Sequence, residues 1–147
     1  MSSPGEIARE CVEAYLYAAP PLEVLLFRRP PGRGSIWVPI SGKVEPSDAS
    51  FEAAVLREVE EETGLRSSRS PEPLDWHVTF PVESGATWRL HAYALRTDRS
   101  FTPRLSAEHD GADWLRPAEA RGRLHYEDNR AALDLLVRRF DPGAANP

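Results

Sequence analysis

The chain has 147 residues, of which 41% are hydrophobic and 28% charged, a composition that excludes a fibrous or disordered protein. The formal net charge of −5 argues against duplex nucleic acid as a partner, because such partners favour a basic surface. A single cysteine excludes an internal disulfide, and the sequence has no signal-like start and no long apolar run. We therefore expect a cytoplasmic protein that does not enter a membrane, with one domain over residues 1–147 and tails at Met1–Glu6 and Pro142–Pro147.

The first elements in chain order are β-prone segments separated by proline-rich turns. Val12–Tyr17 and Glu23–Arg28 are predicted strands, joined through a turn at Ala18–Leu22 that contains two prolines. Pro30–Gly34 is a predicted loop, and Ile36–Ile40 is a short extended segment that follows it.

A helix is predicted at Phe51–Thr63, with Asp48 or Ser50 as its N-cap and Gly64 as a left-handed stop. Strands that flank one central and one terminal helix predict a mixed sheet between helices, an α/β or α+β fold. The later elements are a hairpin of strands Trp76–Pro81 and Thr87–Leu95, a short strand Asp113–Leu115, a helical turn Pro117–Arg121 and an amphipathic helix Asp128–Phe140.

The glutamates of the first helix fall on two different faces. At about 100° per residue, Glu61 and Glu62 lie within roughly 60° of Glu58, whereas Glu60 lies about 200° away. Glu58, Glu61 and Glu62 share the side of the helix that carries the apolar residues, so their carboxylates point inward and repel one another. A bound cation would relieve that repulsion, and carboxylate-only ligands favour a hard ion: Mg²⁺, with Mn²⁺ as an alternative.

The same stretch resembles the Nudix box, G-x5-E-x7-R-E-U-x-E-E-x-G-U, in which U is an aliphatic residue. Two departures lie before the helix: Asp48 stands where the pattern has glutamate, and eight residues instead of seven separate it from Arg57. The matching residues are Gly42, Arg57, Glu58, Val59, Glu61, Glu62, Gly64 and Leu65.

The resemblance implies a Nudix-type α/β/α sandwich with a mixed sheet, and hydrolysis of a diphosphate linked to some moiety X. It implies Glu58 and Glu62 as metal ligands, and Glu61 as a metal ligand or as the residue that activates water. Arg57 lies one turn before Glu61 and is expected to orient that carboxylate. Metal ions would neutralise phosphate oxygens and lower the pKa of the attacking water, and a carboxylate would remove its proton.

Four residues are predicted to bind the substrate. Arg28 ends a strand beside Arg29, and alternation sends one arginine to each face of the sheet, where one would contact phosphate. Trp37 resembles the tryptophan that precedes the box in many Nudix sequences, although a packing role needs no ligand. Gly42 and Lys43 begin the box, and a solvated position is the alternative for the lysine.

A second, shorter resemblance involves Glu108-His109-Asp110, followed by Trp114-Leu115. Together with Ile40-Ser41-Gly42 and Asn129-Arg130-Ala131, it is similar to the bacterial dihydroneopterin-triphosphate and dATP pyrophosphatases. In those relatives the glutamate of the Glu-His pair is a further metal-site candidate, which maps to Glu108; a solvated loop acid is the alternative. Glu61, Arg57 and Glu108 are thus the predicted catalytic residues.

These features together indicate metal-dependent hydrolysis of a small phosphorylated molecule, a nucleoside- or pterin-triphosphate-like substrate. The alternative substrates are a dinucleoside polyphosphate, a nucleotide sugar or an oxidised nucleotide. A non-catalytic Nudix-like module that binds a metabolite is a further alternative, but such a module would be expected to lose a box glutamate, and all three remain here.

Overall fold

The computed structural model describes residues 6–141, so the two predicted tails lie outside the described residues except for Glu6. Within residues 6–141, one mixed sheet of seven strands is accompanied by three helices and a short 3₁₀ turn at Pro31–Arg33. The strands are β1 (Ile7–Ala18), β2 (Glu23–Arg28), β3 (Trp37–Val38), β4 (Ile40–Lys43), β5 (Glu72–Pro81), β6 (Thr87–Arg96) and β7 (Gly111–Leu115). The helices are α1 (Phe51–Thr63), α2 (Pro117–Arg123) and α3 (Glu127–Phe140).

Strand β1 organises the sheet because it has different partners along its two edges. One edge pairs in parallel with β6 over nearly its whole length. The other edge of β6 pairs antiparallel with β5, the strand that precedes it in the chain. The other edge of β1 pairs antiparallel with β4 up to Ala14 and with β2 from Leu16 onwards. Strand β2 also pairs antiparallel with β3 and with β7. The change of partner leaves the β4 half of β1 beside the cleft described below.

Each face of the sheet buries its own apolar cluster, because successive residues of β1 point to opposite faces. The cluster on one side includes Val12 and Leu16 and is covered by α1. The cluster on the other side includes Tyr15 and Tyr17 and is covered by α2 and α3. The predicted α/β/α sandwich is confirmed, as is the apolar stripe of α3, formed by Ala132, Leu133, Leu136, Val137 and Phe140.

Helix α1 has the bounds that its local signals predict. Ser50 is the N-cap, since its Oγ accepts a hydrogen bond from the N–H of Ala53 at 3.0 Å. Gly64 ends the helix with φ of 80°, and its N–H donates to the Glu60 carbonyl at 2.8 Å. Asp48, the alternative cap, has a different role described below.

The largest differences from the predicted strands are at the starts of β1 and β5, which begin five and four residues earlier than expected, while β7 begins two residues earlier. The added residues of β1 pair with β6, a distant part of the chain, and those of β5 extend the hairpin with β6 beyond a register irregularity between Pro73 and His77, so local periodicity carries little signal for them. No helix within residues 6–141 combines the length and apolar character needed to cross a membrane.

Candidate active site

The α1 glutamates have the orientations that the helical periodicity predicts. Glu62 is buried, Glu58 is partly buried, and Glu61 lies at the rim with 55% of its side chain exposed. Glu60 points to solvent and forms an ion pair with Arg66 at 3.0 Å. The helix therefore presents three acids on one side and leaves the fourth outside the group.

Arg57 connects these acids to the loop before the helix. Its Nε and Nη2 each donate to one carboxylate oxygen of Asp48 at 2.9 Å, and these hydrogen bonds hold the pKa of Asp48 below its ordinary value. Its Nη1 donates to Glu58 at 2.9 Å and lies 3.4 Å from Glu61. Asp48 also accepts the N–H of Glu45 at 2.8 Å. The extra residue of the box is thus accommodated in the loop, while Asp48 still anchors Arg57 through both oxygens.

Gly42 brings strand β4 close to the acid group. A Cβ at this position would overlap the carboxyl group of Glu58, so no larger residue fits without moving that side chain. Burial raises the pKa of Glu58 to about 7, the hydrogen bond from Arg57 lowers it, and the charges of Glu61 and Glu62 raise it again. A cation bound beside these acids would favour the ionised form of Glu58.

The loop that precedes β7 contacts the buried end of the acid group. Ser106 Oγ donates to Glu62 Oε2 at 2.6 Å, and His109 Nδ1 lies 3.4 Å from the same oxygen. That contact is not a hydrogen bond, and Nδ1 of His109 has no hydrogen-bond partner among the described residues. Burial lowers the pKa of His109, which favours the neutral imidazole. Glu108 is exposed and lines the cleft, and its role as a metal ligand stays a prediction.

The acid group has the donor chemistry of a divalent-metal site but not its arrangement. In the described part of the chain, no three His, Cys, Asp or Glu side chains are arranged to hold a metal ion. The oxygens instead face protein donors, Arg57 at Glu58 and Ser106 at Glu62. Glu58 and Glu62 nevertheless lie one turn apart and supply only carboxylate oxygens, the donor type that Mg²⁺ prefers. The chemistry of the donor set therefore fits a hard divalent cation.

A cleft of about 590 Å³ opens beside this group, and Gly42 and His109 belong to its lining. Arg29, Arg33 and Lys43 add positive charge, and none of the three forms an ion pair with an acid of residues 6–141. The Lys43 ammonium lies 5.0 Å from the ring centre of Trp88. Apolar side chains line another part, namely Val38, Val78, Phe80, Trp88 and Leu90, and a polar part is formed by Glu13, Asp128 and Asn129.

Two of the four predicted substrate residues, Gly42 and Lys43, line the cleft, and the other two do not. Arg28 forms an ion pair with Asp110 at 2.8 Å, and its guanidinium lies 5.8 Å from the ring centre of Trp37. Arg29 is the member of the arginine pair that lines the cleft. Alternation predicted that the two would separate, but the strand pattern alone does not say which side carries the cleft.

Sequence reasoning missed Glu13 and Asn129 as cleft residues. A signal existed for Glu13, because it alternates with Tyr15 and Tyr17 on one face of a β-prone segment and is therefore an acid expected to point inward. Asn129 belongs to the second resemblance through Asn129-Arg130-Ala131, but no site role was assigned to it, because its place in the cleft depends on the packing of α3 against β1.

Comparison with known proteins agrees with the fold and the box. The sequence matches the NUDIX domain family over residues 11–140. A Listeria monocytogenes protein assigned as a Nudix hydrolase superposes with a TM-score of 0.78 at 22% identity, covering 90% of this chain and 94% of that chain. The Escherichia coli dihydroneopterin triphosphate pyrophosphohydrolase superposes with a TM-score of 0.76 at 19% identity, covering 91% and 99%. At these identities the likeness shows the fold alone.

An octanoyltransferase of Myxococcus xanthus is a relative by sequence, 34% identical over 117 residues. The match covers 78% of this chain but only 32% of that protein, so the chain spans about a third of its relative's length. Because the family match extends over residues 11–140, the chain belongs to the Nudix family and is a Nudix hydrolase domain, a class whose members are typically divalent-metal-dependent pyrophosphohydrolases.

Proposed function

We propose that this protein uses Mg²⁺, or Mn²⁺ in its place, to hydrolyse a phosphoanhydride bond in a nucleoside- or pterin-triphosphate-like substrate. One observation carries the proposal: a cleft borders the acids of α1 through Gly42 and His109, contains cations that form no ion pair with a described acid, and has an apolar and aromatic wall. A triphosphate attached to a flat heterocycle has a complementary distribution of charge and apolar surface.

The chain's own residues would have distinct roles in this reaction. Glu58 and Glu62 would hold Mg²⁺, which supplies charge neutralisation at phosphate oxygens and a lower pKa for the attacking water. Glu61 is the acid with the greatest access to solvent on this face, which supports a role in removing the water proton. Arg57 would keep Glu58 and Glu61 in position, and Glu108 would be a further acid in the lining of the cleft.

The cations of the cleft would bind the phosphate chain. Arg29 and Arg33 have guanidinium groups without acid partners among the described residues, so binding a phosphate would not require breaking an ion pair. Lys43 lies next to Gly42 and over Trp88, between the acid face and the aromatic wall. This arrangement would place the scissile bond near α1 and the heterocycle near Trp88.

The test is a panel of nucleoside triphosphates, a pterin triphosphate, a dinucleoside polyphosphate and a nucleotide sugar, assayed with and without Mg²⁺. We expect one triphosphate class to yield a monophosphate and pyrophosphate only in the presence of metal, and Glu62→Gln to abolish this turnover. Arg33→Ala should raise KM, whereas Arg69→Ala, an exposed arginine outside the cleft lining, should not. Absence of turnover across the panel, or turnover that survives Glu62→Gln, would contradict the proposal.

A second candidate substrate is a diphosphate whose X group carries an acyl chain. The relative that is an octanoyltransferase and the apolar cleft wall at Val78, Phe80 and Leu90 both favour it. Octanoyl-coenzyme A contains a diphosphate and an eight-carbon acyl chain, so it serves as the probe, with coenzyme A as its matched control. A preference of at least tenfold for the acylated compound over coenzyme A and over all nucleoside triphosphates would favour this candidate.

A further inference from the structure

A buried polar cluster lies under the inner end of the cleft, between β1 and α3. Glu13 and Asn129 line the cleft although they are only 3% and 5% exposed, and Tyr15 is fully buried behind them. The Tyr15 hydroxyl donates to Glu13 Oε1 at 3.0 Å, and Asn129 Nδ2 donates to Glu13 Oε2 at 2.9 Å. Buried polar groups are costly unless their hydrogen bonds are satisfied, so the partners fix one another's orientation.

The side-chain amide of Asn129 has both of its N–H groups directed into this cluster. One donates to Glu13 Oε2 and the other to the Tyr15 hydroxyl at 3.3 Å, which uses the two donors that a carboxamide has. Its Oδ1 accepts no hydrogen bond from the described residues and still has access to solvent. Asn129 lines the cleft and its amide N–H groups are already used, so Oδ1 is the side-chain atom that would remain to accept a hydrogen bond from a bound molecule.

The orientation of Asn129 does not depend on the protonation of Glu13. With an ionised carboxylate, Tyr15 donates to Glu13. With a neutral acid, the proton lies on Oε1 and is donated to the Tyr15 oxygen, while the Tyr15 hydroxyl turns to the Asn129 backbone carbonyl at 3.3 Å. Burial is the main cause that raises the pKa of Glu13 to about 8, so the neutral arrangement applies at neutral pH. In both cases Nδ2 keeps two acceptors and Oδ1 stays outward.

We propose that Glu13 and Tyr15 are positioning residues that hold Asn129 as a hydrogen-bond acceptor, so that the cleft selects an X group bearing an N–H donor on a flat heterocycle. This inference rests on the proposed function. Asp128, exposed on the same wall, adds a carboxylate that also only accepts when ionised. A ligand without the donor would leave Oδ1 desolvated and unpaired, and that cost is what makes such sites discriminating.

The test compares two pairs of non-hydrolysable α,β-methylene triphosphates by calorimetry in the presence of Mg²⁺. The analogues of ATP and CTP carry an exocyclic amino group, and their partners, derived from purine riboside and from pyrimidin-2-one riboside, lack it. We expect the amino compound of at least one pair to bind roughly tenfold more tightly than its partner, as for a hydrogen bond that desolvation makes necessary.

Four variants distinguish a positioning role of Glu13 and Tyr15 from a role in folding stability alone. Glu13→Leu removes the acceptor of the amide and should bring the affinity ratio close to one, and Tyr15→Phe should reduce it several-fold. Glu13→Gln retains an acceptor for Asn129 and a donor for Tyr15, so it should keep the ratio. Tyr17→Phe is the matched control, because Tyr17 lies on the same face of β1 but its hydroxyl contacts Glu72 instead.

The inference is overturned by equal affinities within both pairs, by absence of binding of all four compounds, or by a ratio that neither Glu13→Leu nor Tyr15→Phe changes. If Glu13→Leu does not fold, Tyr15→Phe decides. Hydrolysis of ATP and CTP is scored separately. Turnover without discrimination overturns this inference alone, whereas discrimination in binding without turnover supports the inference and removes the proposed function.

Discussion

Glu62 is the most deeply buried acid of α1, and its Oε2 accepts a hydrogen bond from Ser106. Glu60, two residues earlier, pairs with Arg66 on the solvent side. The two differ in environment because two residues correspond to about 200° around a helix. This contrast provides a control for the metal site that does not depend on the family resemblance.

We expect Glu58→Gln and Glu62→Gln each to reduce kcat by roughly 100-fold or more, because each change removes a charged oxygen ligand that would neutralise the transition state. Glu60→Gln should leave kcat within about twofold, as is usual for surface substitutions. The measurement is kcat at saturating Mg²⁺, with circular dichroism to verify folding. If Glu60→Gln were as damaging as Glu62→Gln, the assignment of the acid face would be wrong.

At the scale of elements, the loop between β4 and α1 shows what the box pattern could not predict. The departures at Asp48 leave its role open in the sequence, because loop conformation depends on contacts that spacing does not encode. In the structure Asp48 reaches Arg57 with both oxygens, and Arg57 Nη2 also donates to the Lys43 carbonyl at 2.9 Å. The loop and helix are therefore joined through one guanidinium.

We expect Asp48→Asn to lower the free energy of unfolding by about 1–2 kcal/mol, because it weakens charge-assisted hydrogen bonds to a partly exposed arginine. The loss of kcat should be larger than the loss of folded protein accounts for, since Arg57 would no longer hold Glu58 and Glu61 in position. Urea denaturation and kcat measured on the same samples check both effects. Asp98→Asn is the matched control, because the Asp98 carboxylate accepts its hydrogen bonds from Ser100 within the same turn. An Asp48→Asn variant with the parent's kcat would contradict the positioning role of this pair.

Helix α1 and the α3 stripe could be predicted because their signals are local: a capping serine, a terminal glycine and apolar residues at helical spacing. The long-range pairing of β1 with β6 could not, and it determines where β1 begins. The same limit applies to the site. The acid face follows from the periodicity of one helix, whereas the cleft combines β1, β3, β4, β5, β6, α3 and the loops between them.

At the scale of the whole molecule, a residue that lines the cleft, Glu13, also makes the folding stability depend on pH. Glu13 is buried between β1 and α3, and its pKa is raised to about 8 mainly by burial, with the charge of Asp128 adding to it and hydrogen bonds from Tyr15 and Asn129 opposing it. In the unfolded chain its pKa returns to about 4.5. Below pH 4.5 both states bind the proton, and between pH 4.5 and pH 8 only the folded state does. Folding stability from this group is therefore complete at low pH and is lost as the pH rises to about 8.

We predict that Glu13→Gln, which mimics the neutral acid, becomes progressively more stable than the parent between pH 5 and pH 8. The difference in the free energy of unfolding should grow by up to about 1.4 kcal/mol per pH unit and level off above pH 8. Urea denaturation at unit intervals from pH 5 to pH 9 measures it, and Glu60→Gln, an exposed position, should show no such trend. A difference that stays constant across this range would mean that Glu13 is ionised in the folded protein, and that Tyr15 donates to it permanently.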